Sequence, residues 1–189
     1  MNKHMLKQYF LYSSFFLTIL LMLGCGIKTR LSKTDLKWMN VYNEGDTLIF
    51  KSDIGDLDTS LIIKKELYYP DYNPVEVHGK YLPQWGVAWY KNKNLQYHPD
   101  GGRLINMIKK HPSKETSLTI DYLYSTVLIL NLTTGGIEKY KQGKVYEFDT
   151  YHLKGRPEQP KRIFWHEDYG IIKYITHANV VWERINLPK

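Results

Sequence analysis

Leu118-Thr119-Ile120-Asp121-Tyr122-Leu123-Tyr124-Ser125-Thr126-Val127-Leu128-Ile129-Leu130 is the stretch that decides the fold. Leu118, Ile120, Tyr122 and Tyr124 alternate with Thr119, Asp121, Leu123 and Ser125. A period of two turns one face of a strand to a core and the other to solvent. Val127 to Leu130 continues as a fully apolar run, and Thr133-Thr134-Gly135-Gly136 ends it with turn residues.

Strand signals of another kind, short runs bounded by turn residues, extend in both directions. Asp46 to Ser52 and Ser60 to Leu67 read as a hairpin around Asp53-Ile54-Gly55-Asp56. Lys144 to Asp149, Lys161 to His166, Gly170 to Ile175 and Val180 to Ile185 form a meander, connected tightly at Tyr169-Gly170 and His177-Ala178-Asn179. Arg103 to Lys110 carries Leu104, Ile105 and Ile108, which also suit a helical face; Pro112-Ser113-Lys114-Glu115 looks like a turn and favours a hairpin into Leu118. Pro70, Pro74, Pro83 and Pro99 are expected to break the stretch from Leu67 to Gly101 into loops and edge strands, because proline cannot donate to a ladder. Ser32 to Met39 suits a short helix, with Ser32 as its cap and Asp35 on the favourable end of its dipole. The expectation is an all-β fold: an antiparallel meander of about eight to ten strands, curled into a sandwich or partial barrel, with a short N-terminal helix.

The amino terminus carries a different kind of information. Lys3 and Lys7 precede an apolar run from Tyr9 to Leu23, whose 15 residues fall short of the roughly 20 needed to cross a bilayer. Leu21-Met22-Leu23-Gly24-Cys25 follows, and Cys25 is the single cysteine of the 189 residues. This arrangement resembles the lipobox of bacterial lipoproteins, with Met22 where leucine is commonest. The resemblance implies cleavage after Gly24 and acyl chains such as palmitate on Cys25. Residues 1–24 are then a signal peptide, 25–32 a lipidated tether, and 33–189 one β-rich domain. A seven-residue tether from Gly26 to Ser32 spans at most about 25 Å, so the domain stays near its membrane. Gly26 is not the aspartate associated with inner-membrane retention in enteric bacteria, and no acidic run follows Cys25. The expected location is a cell-envelope membrane, facing the periplasm.

A second resemblance spans both ends of the domain. Leu36-Lys37-Trp38-Met39-Asn40-Val41-Tyr42-Asn43-Glu44-Gly45-Asp46-Thr47-Leu48-Ile49-Phe50-Lys51-Ser52 looks like the start of many small, uncharacterised lipoproteins of Bacteroidota. Ile163 to Tyr174 and Val181-Trp182-Glu183-Arg184-Ile185 are similar to their ends. That likeness implies a lipid-anchored β-rich domain and no established activity. Trp38, Phe50, Trp165, Tyr174 and Trp182 are also large enough to build a sheet core.

Catalytic patterns are absent from the sequence: there is no Gly-x-Ser-x-Gly elbow, His-Glu-x-x-His helix, phosphate loop or dinucleotide fingerprint. His166-Glu167-Asp168 is dense in titratable groups, but alternation on a strand sets Glu167 opposite its neighbours, so a solvated turn is the better reading. Asp53, Asp56 and Asp58 depart from calcium-loop spacing and read as turn chemistry. No metal or cofactor is expected. The net charge of +7 is modest and spread along the chain, which argues against nucleic acid.

Aromatic residues are the remaining lead. Tyr68, Tyr69, Tyr72, Trp85, Trp89 and Tyr90, with Tyr81 and Tyr97, crowd into 30 residues; displayed on loops they would stack on a sugar, a peptide or an acyl chain. Packed inward, they would be ordinary core. Three readings follow: a non-catalytic binding or assembly module for an envelope protein, an apolar-ligand carrier, and a glycan-binding lipoprotein.

Overall fold

The computed structural model describes residues 27–71, 81–93, 101–129, 141–151 and 155–187. An eight-residue helix, α1 (Lys33–Asn40), precedes most of the strands. It begins as the sequence predicts: Asp35 N–H donates to Ser32 Oγ at 3.0 Å, and Ser32 N–H returns to the Asp35 carboxylate at 2.8 Å. This reciprocal capping box satisfies donors that the first helical turn leaves unpaired.

The strands are β1 (Ile27–Lys28), β2 (Thr47–Ser52), β3 (Leu57–Tyr68), β4 (Tyr81–Leu82), β5 (Gln84–Asn92), β6 (Gly102–Lys109) and β7 (Ser117–Tyr122). They continue with β8 (Ser125–Ile129), β9 (Lys141–Gln142), β10 (Val145–Asp149), β11 (Pro160–His166), β12 (Gly170–Thr176) and β13 (Val181–Arg184). Eleven make one antiparallel sheet in the order β8-β7-β6-β5-β3-β2-β13-β12-β11-β10-β9. The first and last long strands, β2 and β13, are therefore neighbours, and Phe50 lies opposite Arg184. At the two far edges Tyr151 N–H, just after β10, donates to Thr126 O of β8 at 2.8 Å. Ten strands thus run up and down around a nearly closed barrel, with the short β9 extending past the seam.

Alternation fills the barrel as the sequence period requires. Leu48, Phe50, Ile62, Tyr90, Leu104, Tyr122, Ile163, Trp165 and Tyr174 are all buried. α1 plugs one end: Trp38 lies 5.2 Å from the ring of Tyr146 and 5.3 Å from that of Trp165, and Tyr42 meets Trp165 edge-on at 5.7 Å. Trp38 and Trp182 are partly buried against this core, as Phe50, Trp165 and Tyr174 are fully.

Several expectations change. The hairpin reading of Arg103 to Lys110 holds as β6 and β7. The run from Leu118 to Ile129, however, is two strands, reversed at Leu123 and Tyr124, which adopt φ of 49° and 63°. Such values are uncommon outside glycine and asparagine, so the turn is invisible to composition; Leu123 N–H donates to the buried Tyr90 hydroxyl at 2.8 Å, a tertiary contact at the turn. β5 is a nine-residue strand between β3 and β6, not an edge strand. Pro83 falls just before it, where no ladder donor is lost; Pro74 and Pro99 lie outside the described residues. In the stretch expected to be tether, β1 pairs in parallel with β4, and Thr29 and Leu31 are buried.

Gly170 tests how tightly the plug fits. Its φ is +70°, and a Cβ there would stand 2.1 Å from the Tyr42 hydroxyl oxygen. Gly170→Ala combines a left-handed backbone penalty with displacement of a buried ring, and is expected to cost about 3 kcal/mol; Ser32→Ala, which removes only the cap, costs about 1 kcal/mol. Urea denaturation of the two variants should rank them in that order.

Candidate functional site

At the end away from α1 the barrel interior turns polar. Asp58 lies directly opposite Phe50 across the β2–β3 ladder, so its carboxylate points inward, and Ser60 two residues on shares that face. Asp58 is 1% exposed. Asn92 of β5 donates to both Asp58 oxygens at 2.9 and 3.1 Å and to Ser60 Oγ at 2.8 Å. Tyr174 of β12 donates its hydroxyl to Asp58 at 3.2 Å, while the Tyr122 hydroxyl is 3.0 Å from Ser60 Oγ. One carboxylate thereby joins strands from both halves of the meander. This corrects the reading of Asp58 as turn chemistry: β3 begins at Leu57, earlier than the sequence suggests.

The rings above this cluster touch one another. Phe50 lies 5.8 Å from Tyr122 and 5.2 Å from Tyr174, and Tyr90 stacks on Tyr122 at 5.4 Å. Burial raises the pKa of Tyr42, Tyr90, Tyr122 and Tyr174; the nearby Asp58 charge pushes Tyr122 and Tyr174 further up. These hydroxyls stay protonated at neutral pH and serve as hydrogen-bonding groups.

Two clefts open on the outside. One, of about 400 Å³, follows the seam between β8 and β10 and is lined by Val127, Leu128, Ile129, Phe148 and Tyr151. Its floor is buried Val127, Ile129 and Phe148; Leu128 and Tyr151 stand exposed at its mouth. The other, of about 550 Å³, lies near the C-terminal end of α1 between Asn43, Asp46, Asp168, Tyr169, Arg184 and Asn186. Arg184 donates to Tyr169 O at 2.7 Å and to Asn186 Oδ1 at 3.3 Å, and burial lowers its pKa. Nothing in the sequence singled out this polar cleft, since its residues come from three distant stretches that only the closure of β13 on β2 brings together.

The predicted aromatic site is dispersed. Tyr90 is inside the barrel and 1% exposed. Trp85 and Trp89 are on the outer face of β5, not on loops: Trp85 stacks with Tyr68 at 6.0 Å, and Trp89 donates to Glu66 at 3.0 Å with the Arg103 guanidinium 5.1 Å from its ring. Tyr69 donates its hydroxyl to Thr29 O at 2.8 Å. Tyr72 and Cys25 lie outside the described residues. His166 ends β11 beside α1, whereas His177 follows β12 at the opposite end, so the two cannot share one ion. Glu167 accepts from the Tyr146 hydroxyl at 3.0 Å, and Asp168 pairs with Lys144 at 2.8 Å. Among the described residues no group of three His, Cys, Asp or Glu side chains gathers as a metal site would require.

Comparisons with protein-family models, with curated proteins and with solved structures return no match for this chain.

The buried tyrosines carry a pH signature. Their folded pKa values lie above the unfolded value near 10, so between those limits the unfolded chain binds fewer protons and stability falls as pH rises. Each such tyrosine contributes a slope of about 1.4 kcal/mol per pH unit above pH 10. Urea titrations from pH 9 to 11 should show this steepening, and Tyr122→Phe should reduce the slope by about one tyrosine's share.

Proposed function

We propose that this is a lipid-anchored, non-catalytic binding or assembly module of a bacterial cell envelope, attached through acyl chains on Cys25 and facing the periplasm. The observation that carries the reading is the occupied barrel: the rings of Phe50, Tyr90, Tyr122 and Tyr174 fill its axis, and Asp58, Ser60 and Asn92 bond to one another beneath them. The Asp58, Ser60 and Asn92 side chains are thus turned inward and bonded to one another. Contact with other molecules falls to the outer clefts and faces. The amino-terminal sequence supplies the location, since two acyl chains anchor a protein where one would not.

The seam favours one second reading, a carrier of an apolar ligand. Its apolar floor and volume fall within the range of small-molecule sites, about 300 to 1,000 Å³. A fluorescent fatty acid that binds the purified protein and is displaced by Val127→Trp would support it. The glycan reading loses ground because Trp85 and Trp89 are engaged by Tyr68, Glu66 and Arg103.

The leading reading is tested in cells grown with radiolabelled palmitate. Label on the protein, lost in Cys25→Ser, is expected, together with a crosslinked envelope partner recovered from the wild type and not from Cys25→Ser. An unlabelled wild-type protein, or turnover of a substrate by the purified domain, contradicts it.

A further inference from the structure

We propose that the rim of the barrel around β1 is a membrane-facing surface that seats the domain on an anionic lipid bilayer; this rests on the lipid-anchored reading above. Ile27 and Lys28 pair with Tyr81 and Leu82, and Thr29 N–H donates to Leu82 O at 3.0 Å. Thr29 Oγ1 donates to Lys109 O of β6, and the Tyr69 hydroxyl holds Thr29 O at 2.8 Å. The chain is therefore fixed to the barrel back to Ile27. Cys25 stands two residues earlier, and two residues reach at most about 7 Å. An acylated sulfur at that distance leaves little freedom: whatever surrounds Ile27 lies at the level of the lipid headgroups.

Those surroundings suit that level. Ile27 and Leu67 are 43% and 45% exposed. The Lys28 ammonium lies 5.0 Å over the Tyr69 ring, and Tyr81 meets His111 edge-on at 4.2 Å. Tyrosine, with an apolar ring and a polar tip, concentrates at membrane interfaces, and basic side chains are drawn to anionic headgroups. Lys28, Arg30, Lys110 and Lys114 are exposed on or beside this rim and Lys109 is half-buried there, against Asp71 and Glu115 as the opposing acids. Among the described residues of the rim the excess is positive. Ile54, 71% exposed in the β2–β3 turn, lies at the other end of the barrel and marks the surface facing away.

The test uses the mature protein that begins at the acylated Cys25, purified from palmitate-labelled bacteria and reconstituted in vesicles of phosphatidylcholine with phosphatidylglycerol. Lys110→Cys and Ile54→Cys each carry a fluorophore on the introduced thiol, with Cys25 blocked by its acyl chains. Quenching by spin-labelled lipid is expected to be several-fold greater at position 110 than at 54, and the difference should shrink in phosphatidylcholine alone or at high salt. Palmitate-bearing protein quenched equally at both positions, or more at 54, overturns the proposed face and leaves the anchor standing. A difference undiminished without anionic lipid overturns the charge-based recognition. Protein with neither palmitate nor vesicle association overturns the anchor and the face together.

Discussion

The pairing of β13 with β2 is the constraint on which the rest of the structure depends. Only three residue pairs define it, Trp182 with Ser52, Glu183 with Lys51 and Arg184 with Phe50. Asn186 extends it by accepting from Ile49 N–H at 2.9 Å and donating to Thr47 O. Without this ladder the meander would be an open sheet with β2 and β13 as edges, and such edges invite association with other chains. With it, Phe50 and Tyr174 face each other across the interior, and Arg184 arrives beside Asp46 to form the polar cleft.

Closure also explains the division of the interior. Rings are gathered beside α1, where Trp38, Tyr42, Tyr146 and Trp165 interlock. At the other end three buried polar side chains find partners: Ser125 donates to Pro160 O at 2.6 Å, Ser52 accepts from Asp56 N–H at 2.8 Å, and Asp58 accepts from Asn92 and Tyr174. A buried carboxylate is costly unless it is satisfied in this way. The Asp58 cluster ties the paired strands β3 and β5 to β7 and β12, with which neither shares a ladder, and so fixes their mutual rotation. The same satisfaction withdraws these groups from solvent.

Much of this was legible in the chain. Period-two alternation located β7, a short aliphatic run beside turn residues located β2, tight connections marked the carboxy-terminal strands, and Ser32 with Asp35 announced α1. What escaped has physical reasons. The reversal at Leu123 and Tyr124 uses positive φ at residues that rarely adopt it, beside a tyrosine more than thirty residues away. The inward position of Asp58 was in fact encoded, since Asp58, Ser60 and Ile62 share the parity of one strand face, but carboxylate chemistry suggested a turn. Tyr90 and Trp89 belong to a single strand and so divide between inside and outside, which composition alone cannot separate. The Arg184 cleft depended on closure, a long-range event with no local signature.

The molecule's own rings stand where a ligand-carrying barrel would hold its cargo. The most direct measurement is proton NMR of the purified protein, reading contacts between aromatic rings. Cross-peaks from the Phe50 ring to those of Tyr122 and Tyr174 are predicted, with the rings in mutual contact at the separations found here. Loss of those contacts, replaced by cross-peaks from Phe50, Tyr122 and Tyr174 to a molecule that co-purifies inside the barrel, would contradict it.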